Sequence, residues 1–303
     1  MERKSVDIPL CSRSGALFLA VFLLSSYTAA QKKDFQWVNP PSGETNPRLH
    51  HGSFRSPSMR LDVGYFIYLP PGYEETVNGQ TRYPVVYFLH GGRHGNEKSG
   101  AKLVDQLDEQ IRSGLVSPRI YVFNNGGELS HYDYGGSLGE TAFVAELIPH
   151  IDCTYRTIPT RFGRGIEGIS MGGRGTARIM FRHPELFCSA IPIAAGHQRE
   201  KRISEGGSQE TLGVTLDSTN NSWDLARQYP SDSTLPPLEI LVVVGTKDPN
   251  YQANLEWMAH LRSLAIPFQS LIIPDTPHSM IEVYRNAGSE IMRFHERCFG
   301  QTR

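Results

Sequence analysis

The sequence predicts an α/β domain with a mostly parallel central sheet and helices on both faces of that sheet. Short apolar runs that end in glycine, such as "YPVVYFLHGG" and "LEILVVVG", are typical of strands buried on both faces. Between them lie segments with apolar residues three and four positions apart, such as "AKLVDQLDEQIRSG", which is the spacing of amphipathic helices. Strands and helices that alternate in this way build parallel sheets, and 303 residues with 39% apolar side chains suffice for one large core.

The predicted elements follow one another from Met59 to the C-terminus. The first strand, "MRLDVGYFIYLPPGY", places alternate apolar residues on one face and ends at Pro70 and Pro71. A serine-bearing turn interrupts the series near the middle of the chain. In order, the other segments are the strand "YPVVYFLHGG", the helix "AKLVDQLDEQIRSG", the strand "PRIYVFNNGG", the helices "GETAFVAELIPHI" and "GTARIMFRHPELF", the strands "CSAIPIAAG" and "LEILVVVGTKD", the helix "YQANLEWMAHLRSLAI", the strand "PFQSLIIPD" and a helix over about 279–298.

The N-terminus has the layout of a signal peptide. Arg3, Lys4 and Arg13 precede the apolar run "ALFLAVFLL", and the small residues before Gln31 suit a cleavage site. The apolar run is shorter than the roughly 20 residues that a membrane-spanning helix needs. We therefore expect residues 1–30 to be a cleaved signal peptide, with a retained N-terminal anchor as the alternative. The mature chain is then expected to be secreted or periplasmic and to have no membrane span.

The rest of the chain divides into a leader and one domain. Residues 31–57 are rich in Pro, Asn, Ser and Gly without periodicity, which predicts an extended leader. Residues 58–303 are predicted to form a single α/β domain. Within it, residues about 196–236 are polar and contain one short helical candidate, "SWDLARQYP". We expect this stretch to be a loop insertion that either covers the functional site or is disordered.

Three cysteines remain after removal of the signal peptide, and they are Cys153, Cys188 and Cys298. An export pathway permits disulfides, but at most one pair can form within the chain. The sequence leaves open which pair forms, or whether the thiols are simply buried. The spacing of the three cysteines matches no zinc-binding pattern.

The charge and motif content of the chain argues against several classes of partner. Acidic and basic residues nearly cancel, with a formal net charge of −1, so nothing global indicates nucleic acid or an anionic membrane surface. The sequence has no H-E-x-x-H motif and no glycine-rich dinucleotide motif in the required context. We therefore expect no metal and no cofactor, and a neutral or weakly charged molecule as the partner.

The stretch "RGIEGISMGGRG" places Ser170 in a G-x-S-x-G pentapeptide that runs from Gly168 to Gly172. The pentapeptide alone is a weak signal, but "GRGIEGI" before it can form a strand and "GTARIMFRH" after it a helix. A strand-to-helix turn is the context that this motif requires, because glycines are needed where a Cβ would clash as the backbone tightens. Ser170 is therefore the predicted nucleophile.

A serine nucleophile needs a base, and the base needs an acid that fixes its tautomer and stabilises its charge. In serine hydrolases with this motif the acid and then the histidine follow the serine along the chain, each in a loop after a strand. Asp248 directly follows "EILVVVGTK", and His278 directly follows "SLIIPDTP". Both positions lie beyond the C-terminal ends of predicted strands, where parallel sheets place their sites. The sequence predicts Asp248 as the acid and His278 as the base.

Other acids and histidines are weaker candidates for these roles. His197 follows the strand "CSAIPIAAG" and is the alternative base. Asp275 is the second choice of acid because it shares a loop with His278, and Asp217 and Asp224 in the insertion come third. Three further histidines fall within predicted helices or near the C-terminus and are expected to be surface or packing residues. They are His183, His260 and His295.

Acyl transfer also requires donors for the oxyanion of the tetrahedral intermediate, each worth about 3 kcal/mol. One predicted donor is the backbone N–H of Met171, the residue after the nucleophile. The second is expected from the loop after "VVYFLHGG", where Gly92 or Arg93 is favoured over Gly91. His90 in the same loop is expected to form structural hydrogen bonds rather than to act as a base.

The combined motifs resemble a known family of esterases. The segments "YFIYLPPGYEE", "YPVVYFLHGG", "ELIPHIDCTYRT", "GISMGGRGTARIMFRHPELF", "VVVGTKD" and "PHSM" occur in the order seen in the "putative esterase" family related to esterase D. This family includes feruloyl and acetylxylan esterases of carbohydrate esterase family 1. The resemblance runs from about Phe54 to the C-terminus. It implies the α/β-hydrolase fold, a triad of Ser170, Asp248 and His278, and an oxyanion loop after His90.

The resemblance and the predicted export together favour one function over two others. The first hypothesis is an exported serine carboxylic-ester hydrolase that acts through an acyl-enzyme on a small-molecule or polysaccharide-linked ester, such as a feruloyl or acetyl ester. The second hypothesis is an acyltransferase of the same family. The third is a non-catalytic binding protein on the same scaffold, which would not need all three triad residues.

Overall fold

The computed structural model describes residues 35–43, 45–92, 95–207, 209–211, 214–217, 219–229 and 237–300. The chain from Phe35 onward forms one compact unit. The predicted signal peptide, residues 1–30, lies outside the described residues. Within the described ranges, no helix is both long enough and apolar enough to cross a membrane.

One large sheet forms the centre of this unit. The strands, numbered in chain order, are β1 Leu49–Ser56, β2 Leu61–Tyr68, β3 Val85–Leu89, β4 Ile120–Asn124, β5 Asp133–Tyr134, β6 Ser137–Leu138, β7 Arg164–Ile169, β8 Ser189–Ile193, β9 Gln209–Thr211, β10 Val214–Thr215, β11 Glu239–Gly245 and β12 Gln269–Ile273. The central sheet has eight strands in the order β1-β2-β4-β3-β7-β8-β11-β12. β1 and β2 pair antiparallel with each other, and β2 pairs antiparallel with β4. The strands from β4 to β12 in this order are parallel.

Helices connect the parallel strands and cover the sheet. They are α1 Glu97–Ala101, α2 Val104–Arg112, α3 Gly139–Thr141, α4 Ile148–Thr154, α5 Met171–Arg182, α6 His197–Arg202, α7 Ser222–Gln228, α8 Tyr251–Ser263 and α9 Met280–His295. A wider helical turn over Ala142–Leu147 joins α3 to α4, and together they account for the predicted helix "GETAFVAELIPHI".

Alternate residues of the central strands pack into two apolar cores on opposite faces of the sheet. In β3, Val85, Tyr87 and Leu89 belong to one core, and Val86 and Phe88 belong to the other. Helices α4, α5 and α8 cover the first core, whereas α2 and α9 cover the second. Burial on both faces explains why these strands are continuous apolar runs in the sequence. The predicted mostly parallel sheet with helices on both faces is confirmed.

The N-terminal boundary of the domain differs from the prediction. An extended leader was expected over residues 31–57, but β1 in this stretch pairs with β2 along its whole length. β1 is an edge strand in which Phe54 and Ser56 are buried and the other residues are partly or fully exposed. Its sequence therefore lacks the apolar alternation of a half-buried strand. The predicted domain start at residue 58 is too late.

The predicted insertion at about 196–236 contains regular structure where it is described. It holds α6, the short pair of strands β9 and β10, and α7, which corresponds to the helical candidate "SWDLARQYP". Buried charges join it to α5, since Arg178 Nη1 donates to Glu200 Oε1 at 3.2 Å. The guanidinium of Arg178 also lies 3.6 Å from the ring centroid of Tyr132. Paired charges and buried apolar side chains, such as Trp223 and Ile203, together anchor the insertion.

A disulfide joins Cys188 to Cys298, with their Cα atoms 5.9 Å apart. Cys188 immediately precedes β8, and Cys298 follows α9, so the bond ties the last helix to a central strand. Both cysteines are buried, whereas Cys153 is a free, exposed thiol. The structure thereby selects one of the pairings that the sequence left open.

The disulfide should contribute measurably to stability because it closes a loop across a sequence separation of 110 residues. We expect the double substitution Cys188→Ser and Cys298→Ser to lower the free energy of unfolding by about 2–5 kcal/mol through the gained entropy of the unfolded chain. Urea unfolding under oxidising conditions measures this loss. Cys153→Ser is the matched control and should change the unfolding free energy by less than about 0.5 kcal/mol. A double variant with the parent's unfolding midpoint would contradict the assignment.

Candidate active site

Ser170 stands at the turn that joins β7 to α5. Its backbone has φ 60° and ψ −111°, in the positive-φ region that non-glycine residues rarely occupy. The turn is held by β8 and the segment after it. The Ser170 N–H donates to the Ile193 carbonyl at 2.9 Å, and the Gly196 N–H donates to the Ser170 carbonyl at 3.2 Å. The surrounding backbone therefore maintains a strained conformation that leaves the serine side chain partly exposed.

Gly168 and Gly172 allow the strand and the helix to approach β3 at this turn. A Cβ on Gly172 would lie 2.0 Å from the carbonyl oxygen of Leu89, and a Cβ on Gly168 would lie 2.7 Å from the Leu89 Cβ. Neither distance is tolerated by real side chains. The two outer glycines of the pentapeptide are thus required by close packing against the end of β3.

Asp248 and His278 follow two neighbouring parallel strands and contact each other. Asp248 lies after β11 and His278 after β12, and Asp248 Oδ2 is 2.7 Å from His278 Nδ1. The Asp248 side chain is fully buried, and its other oxygen accepts a hydrogen bond from the Asn250 N–H at 2.7 Å. Because a carboxylate only accepts, Nδ1 of His278 carries the proton. Nε2 of the neutral ring is then left as an acceptor.

A cavity of about 420 Å³ lies at this edge of the sheet and is lined by both Ser170 and His278. Its volume falls within the range of roughly 300–1,000 Å³ that is usual for small-molecule sites. Its apolar lining side chains are Phe88, Ile169, Met280 and Ile281. Its other polar side chains are His90, Ser99 and Lys102. The predicted nucleophile and the predicted base thus border the same space, and the predicted acid contacts the base.

The predicted oxyanion donors lie on two segments next to Ser170. Met171 is the first residue of α5, so its N–H has no partner within the helix. Gly92 lines the cavity with φ 75°, and a Cβ on Gly91 would lie 3.2 Å from the Ser170 Cβ. Arg93, the third predicted donor, lies outside the described residues. The glycines after β3 therefore bring backbone close to the serine, as an oxyanion loop requires.

His90 fixes the start of the loop after β3 through hydrogen bonds of its ring and of its carbonyl group. Its ring is buried, and Nε2 accepts a hydrogen bond from the Gly126 N–H at 3.1 Å. The His90 carbonyl accepts a second bond from the Ser130 hydroxyl at 2.8 Å. Burial lowers the pKa of His90 to about 4, so its ring is neutral at physiological pH. These contacts agree with the structural role expected from the sequence.

The competing acids do not contact His278. Asp275 is exposed, and its carboxylate pairs with a neighbouring lysine at 2.9 Å. Asp217 accepts hydrogen bonds from a threonine within the insertion, and Asp224 accepts one from a serine there at 2.8 Å. Of the predicted acids, Asp248 is the one that the structure places against the histidine.

The alternative base, His197, is enclosed in the core. Its ring stacks on that of Trp257, with centroids 4.1 Å apart and planes inclined by 11°. Burial lowers the pKa of His197 to about 3, so the ring stays neutral, and His197 does not line the cavity. The remaining histidines bond to other parts of the chain, and they are His183, His260 and His295.

Part of the cavity wall was not predicted. Ser99 and Lys102 come from α1 and its C-terminal end, and Met280 and Ile281 come from the start of α9. The sequence marks α9 only as the helix after His278, and it marks Lys102 only as a polar position at the start of a helical pattern. No motif connects these two helices, so their meeting at the cavity is visible only in the structure.

The sheet, the serine turn and the order of the acid and the histidine define the α/β-hydrolase fold. Residues 56–265, well over half of the chain, match the family described as "Putative esterase". The chain belongs to that family. The matched range includes Ser170 and Asp248, and His278 follows it.

Named relatives are also esterases. A Xylanibacter ruminicola protein named endo-1,4-beta-xylanase/feruloyl esterase is 38% identical over 134 residues, covering 40% of this chain and 18% of that protein. An esterase of Mycobacterium tuberculosis is 30% identical over 153 residues, covering 48% of this chain and 32% of that protein. A solved structure named ferulic acid esterase has a TM-score of 0.69 and 25% identity, covering 83% of this chain and 98% of that one. The chain thus matches less than a third of the length of these curated relatives.

The buried neutral histidines should make the fold sensitive to acid. Between the ordinary pKa of 6.5 and the folded-state value of about 3, His197 takes up a proton only when the chain unfolds, so a fall in pH destabilises the native state. We expect His197→Phe, which retains an aromatic ring against Trp257, to reduce this loss by up to about 1.4 kcal/mol per pH unit. Urea unfolding at a series of pH values below 6.5 measures the slope. His50→Ala, at an exposed histidine, is the control and should leave the slope unchanged. Equal slopes for His197→Phe and the parent would refute the prediction.

Proposed function

We propose that the protein is an exported serine carboxylic-ester hydrolase in which Ser170 is the nucleophile, His278 the general base and acid, and Asp248 the group that orients His278. The observation that carries this proposal is the 2.7 Å contact between Asp248 and His278 beside a cavity lined by Ser170. A serine hydroxyl is a weak nucleophile until a base takes its proton, and this constellation supplies both a base and its partner.

The reaction proceeds through an acyl-enzyme. Ser170 Oγ attacks the ester carbonyl carbon while its proton passes to His278 Nε2, and the carbonyl oxygen becomes an oxyanion. Collapse of this tetrahedral intermediate breaks the bond to the alcohol, which leaves with the proton from His278. A water molecule then loses a proton to His278 and attacks the acyl carbon. The second collapse releases the acid and returns the proton to Ser170.

Two features of the site stabilise the charges that develop in this sequence. The Asp248 carboxylate is buried beside His278 Nδ1, so it stabilises the imidazolium in a region of low dielectric. The N–H groups of Met171 and of the loop that contains Gly92 are proposed to bind the oxyanion. Each such donor contributes about 3 kcal/mol to the stability of the transition state.

The proposed substrates are feruloyl or acetyl esters, including those linked to polysaccharide. A relative is named endo-1,4-beta-xylanase/feruloyl esterase, and a similar solved structure is named ferulic acid esterase. The cavity has the volume and the apolar walls to hold an aromatic acyl group. These observations support an aromatic acid as the acyl group of the substrate.

The proposal of export rests on the N-terminal sequence and on the disulfide. Residues 1–30 have the basic start, the apolar run and the small residues of a signal peptide. The disulfide between Cys188 and Cys298 is of the kind that persists in oxidising compartments outside the cytosol. A secreted or periplasmic location accounts for both features.

Replacement of the nucleophile tests the reaction. We expect Ser170→Ala to lower kcat for p-nitrophenyl acetate by about a thousandfold or more, because the acyl-enzyme can no longer form. The parent should also react with a fluorophosphonate probe at this serine, since only an activated serine does so. Ser113→Ala is the matched control at an exposed serine outside the cavity, and it should retain parent activity and labelling. Undiminished turnover by a folded Ser170→Ala variant would refute the mechanism.

A pair of methyl esters tests the acyl group. We expect kcat/KM for methyl ferulate to exceed that for methyl acetate by at least about tenfold, because an aromatic ring buried against the apolar walls contributes roughly 1.5–3 kcal/mol. Steady-state hydrolysis of both esters gives the ratio. Met280→Ala, which shortens the cavity wall, should lower the ratio mainly through methyl ferulate. A preference for methyl acetate would instead indicate an acetyl esterase.

A further inference from the structure

The cavity beside Ser170 has a positively charged wall that the proposed reaction does not use. Lys102 directly follows α1 and lines the cavity, and it forms no ion pair or hydrogen bond with any described residue. Elsewhere Lys201 pairs with Glu256 at 3.1 Å, and the ammonium of Lys247 pairs with a carboxylate at 2.9 Å. Lys102 differs from these two lysines because it borders the cavity and has no ion-pair partner among the described residues.

The described lining of the cavity contains no carboxylate that could neutralise this charge. None of the described residues that border the cavity has an acidic side chain. Asp105, one helical turn after Lys102, accepts a hydrogen bond from Asn46 at 3.0 Å. Lys102 is exposed, so its ammonium remains hydrated and its attraction for an anion is that of a surface charge, which salt weakens.

A second donor lies on the same face of this helical segment. Ser99 precedes Lys102 by three positions, which places both side chains on one side of the helix, and both line the cavity. Ser99 Oγ accepts a hydrogen bond from the Asn96 N–H at 3.3 Å, so its own hydroxyl proton remains available. A hydroxyl and an ammonium on one wall form a pair of donors that suits a group with two acceptor oxygens.

We propose that Lys102 is a specificity-determining residue that binds a carboxylate carried by the substrate ester. This inference rests on the proposed function and adds the charge of the substrate to it. The aliphatic stem of Lys102 extends the apolar wall, and its ammonium binds the carboxylate beside the reacting ester. The carboxylate belongs either to the acyl part, as in a dicarboxylic acid monoester, or to the alcohol part, as in an acidic sugar.

Two pairs of probes distinguish these sources. Mono-p-nitrophenyl glutarate and p-nitrophenyl valerate differ by a carboxylate in the acyl part. Para-acetoxybenzoate and its methyl ester differ by a carboxylate in the alcohol part. For each pair, kcat/KM is measured for the parent and for Lys102→Gln, Lys102→Glu and the control Lys98→Gln. Lys98 is one turn earlier in the same helix and does not line the cavity.

We expect Lys102→Gln to lower kcat/KM for the carboxylate member of one pair by up to about fivefold, which is the most that an exposed ion pair contributes. The neutral member should change by less than about twofold, and Lys102→Glu should lower the anionic value further. Added salt should reduce the anionic preference of the parent but not that of Lys102→Gln. Lys98→Gln should behave as the parent does.

The inference is overturned if the ratio of kcat/KM for the carboxylate ester to kcat/KM for the neutral ester is the same in the parent and in Lys102→Gln for both pairs. In that case, hydrolysis of the neutral esters that depends on Ser170 still supports the proposed function. Failure of the proposed function gives a different result, in which the parent and Ser170→Ala hydrolyse every probe at the same rate. That result overturns both proposals. Thermal unfolding checks that the exposed substitutions leave the fold intact.

Discussion

The contact between the N-terminus of α5 and the end of β3 is the constraint on which the site depends. With a hydrogen atom in place of a side chain at Gly172, the helix begins directly against the Leu89 carbonyl. The chain then has to reverse within one residue, and Ser170 takes up the positive φ that this reversal requires. Because the same contact fixes where β3 ends, it also brings the Gly91 backbone against the serine. One close approach thus places both the serine and the loop that is proposed to bind the oxyanion.

A second group of interactions secures the other side of α5. Arg178 is fully buried, and its charge is offset by Glu200 in the insertion and Glu140 at the start of α3. Removal of one partner from such a network leaves an uncompensated buried charge, which is far more costly than loss of a surface ion pair. Helix α5, which directly follows the serine, is therefore fixed on one side by glycine packing and on the other by paired charges.

The elements and site positions that follow from a local sequence pattern were predicted. The features that depend on contacts with distant parts of the chain were not. Central strands such as β3 and β11 were recognisable because both faces of each are apolar, and the positions of Asp248 and His278 followed from the ends of such strands.

β1 was missed because an edge strand with one exposed face and a polar sequence has no periodic signal. The pairing of Cys188 with Cys298 required the three-dimensional path of the chain across a sequence separation of 110 residues. The insertion was predicted to be a loop because its order comes from buried ion pairs with α5 and from separate buried apolar residues, such as Trp223 and Ile203, that form no continuous periodic pattern. Likewise, the near-zero net charge of the chain says nothing about the local field at Lys102.

The disulfide between Cys188 and Cys298 makes a covalent ring of the part of the chain that carries Asp248 and His278. Ser170 lies just outside this ring and is joined to it by the peptide backbone. A single protease cut at any bond inside the ring, the insertion included, leaves the two fragments linked through sulfur. The three residues of the candidate site therefore stay on one covalent molecule after such a cut, so a nicked chain keeps its site connected.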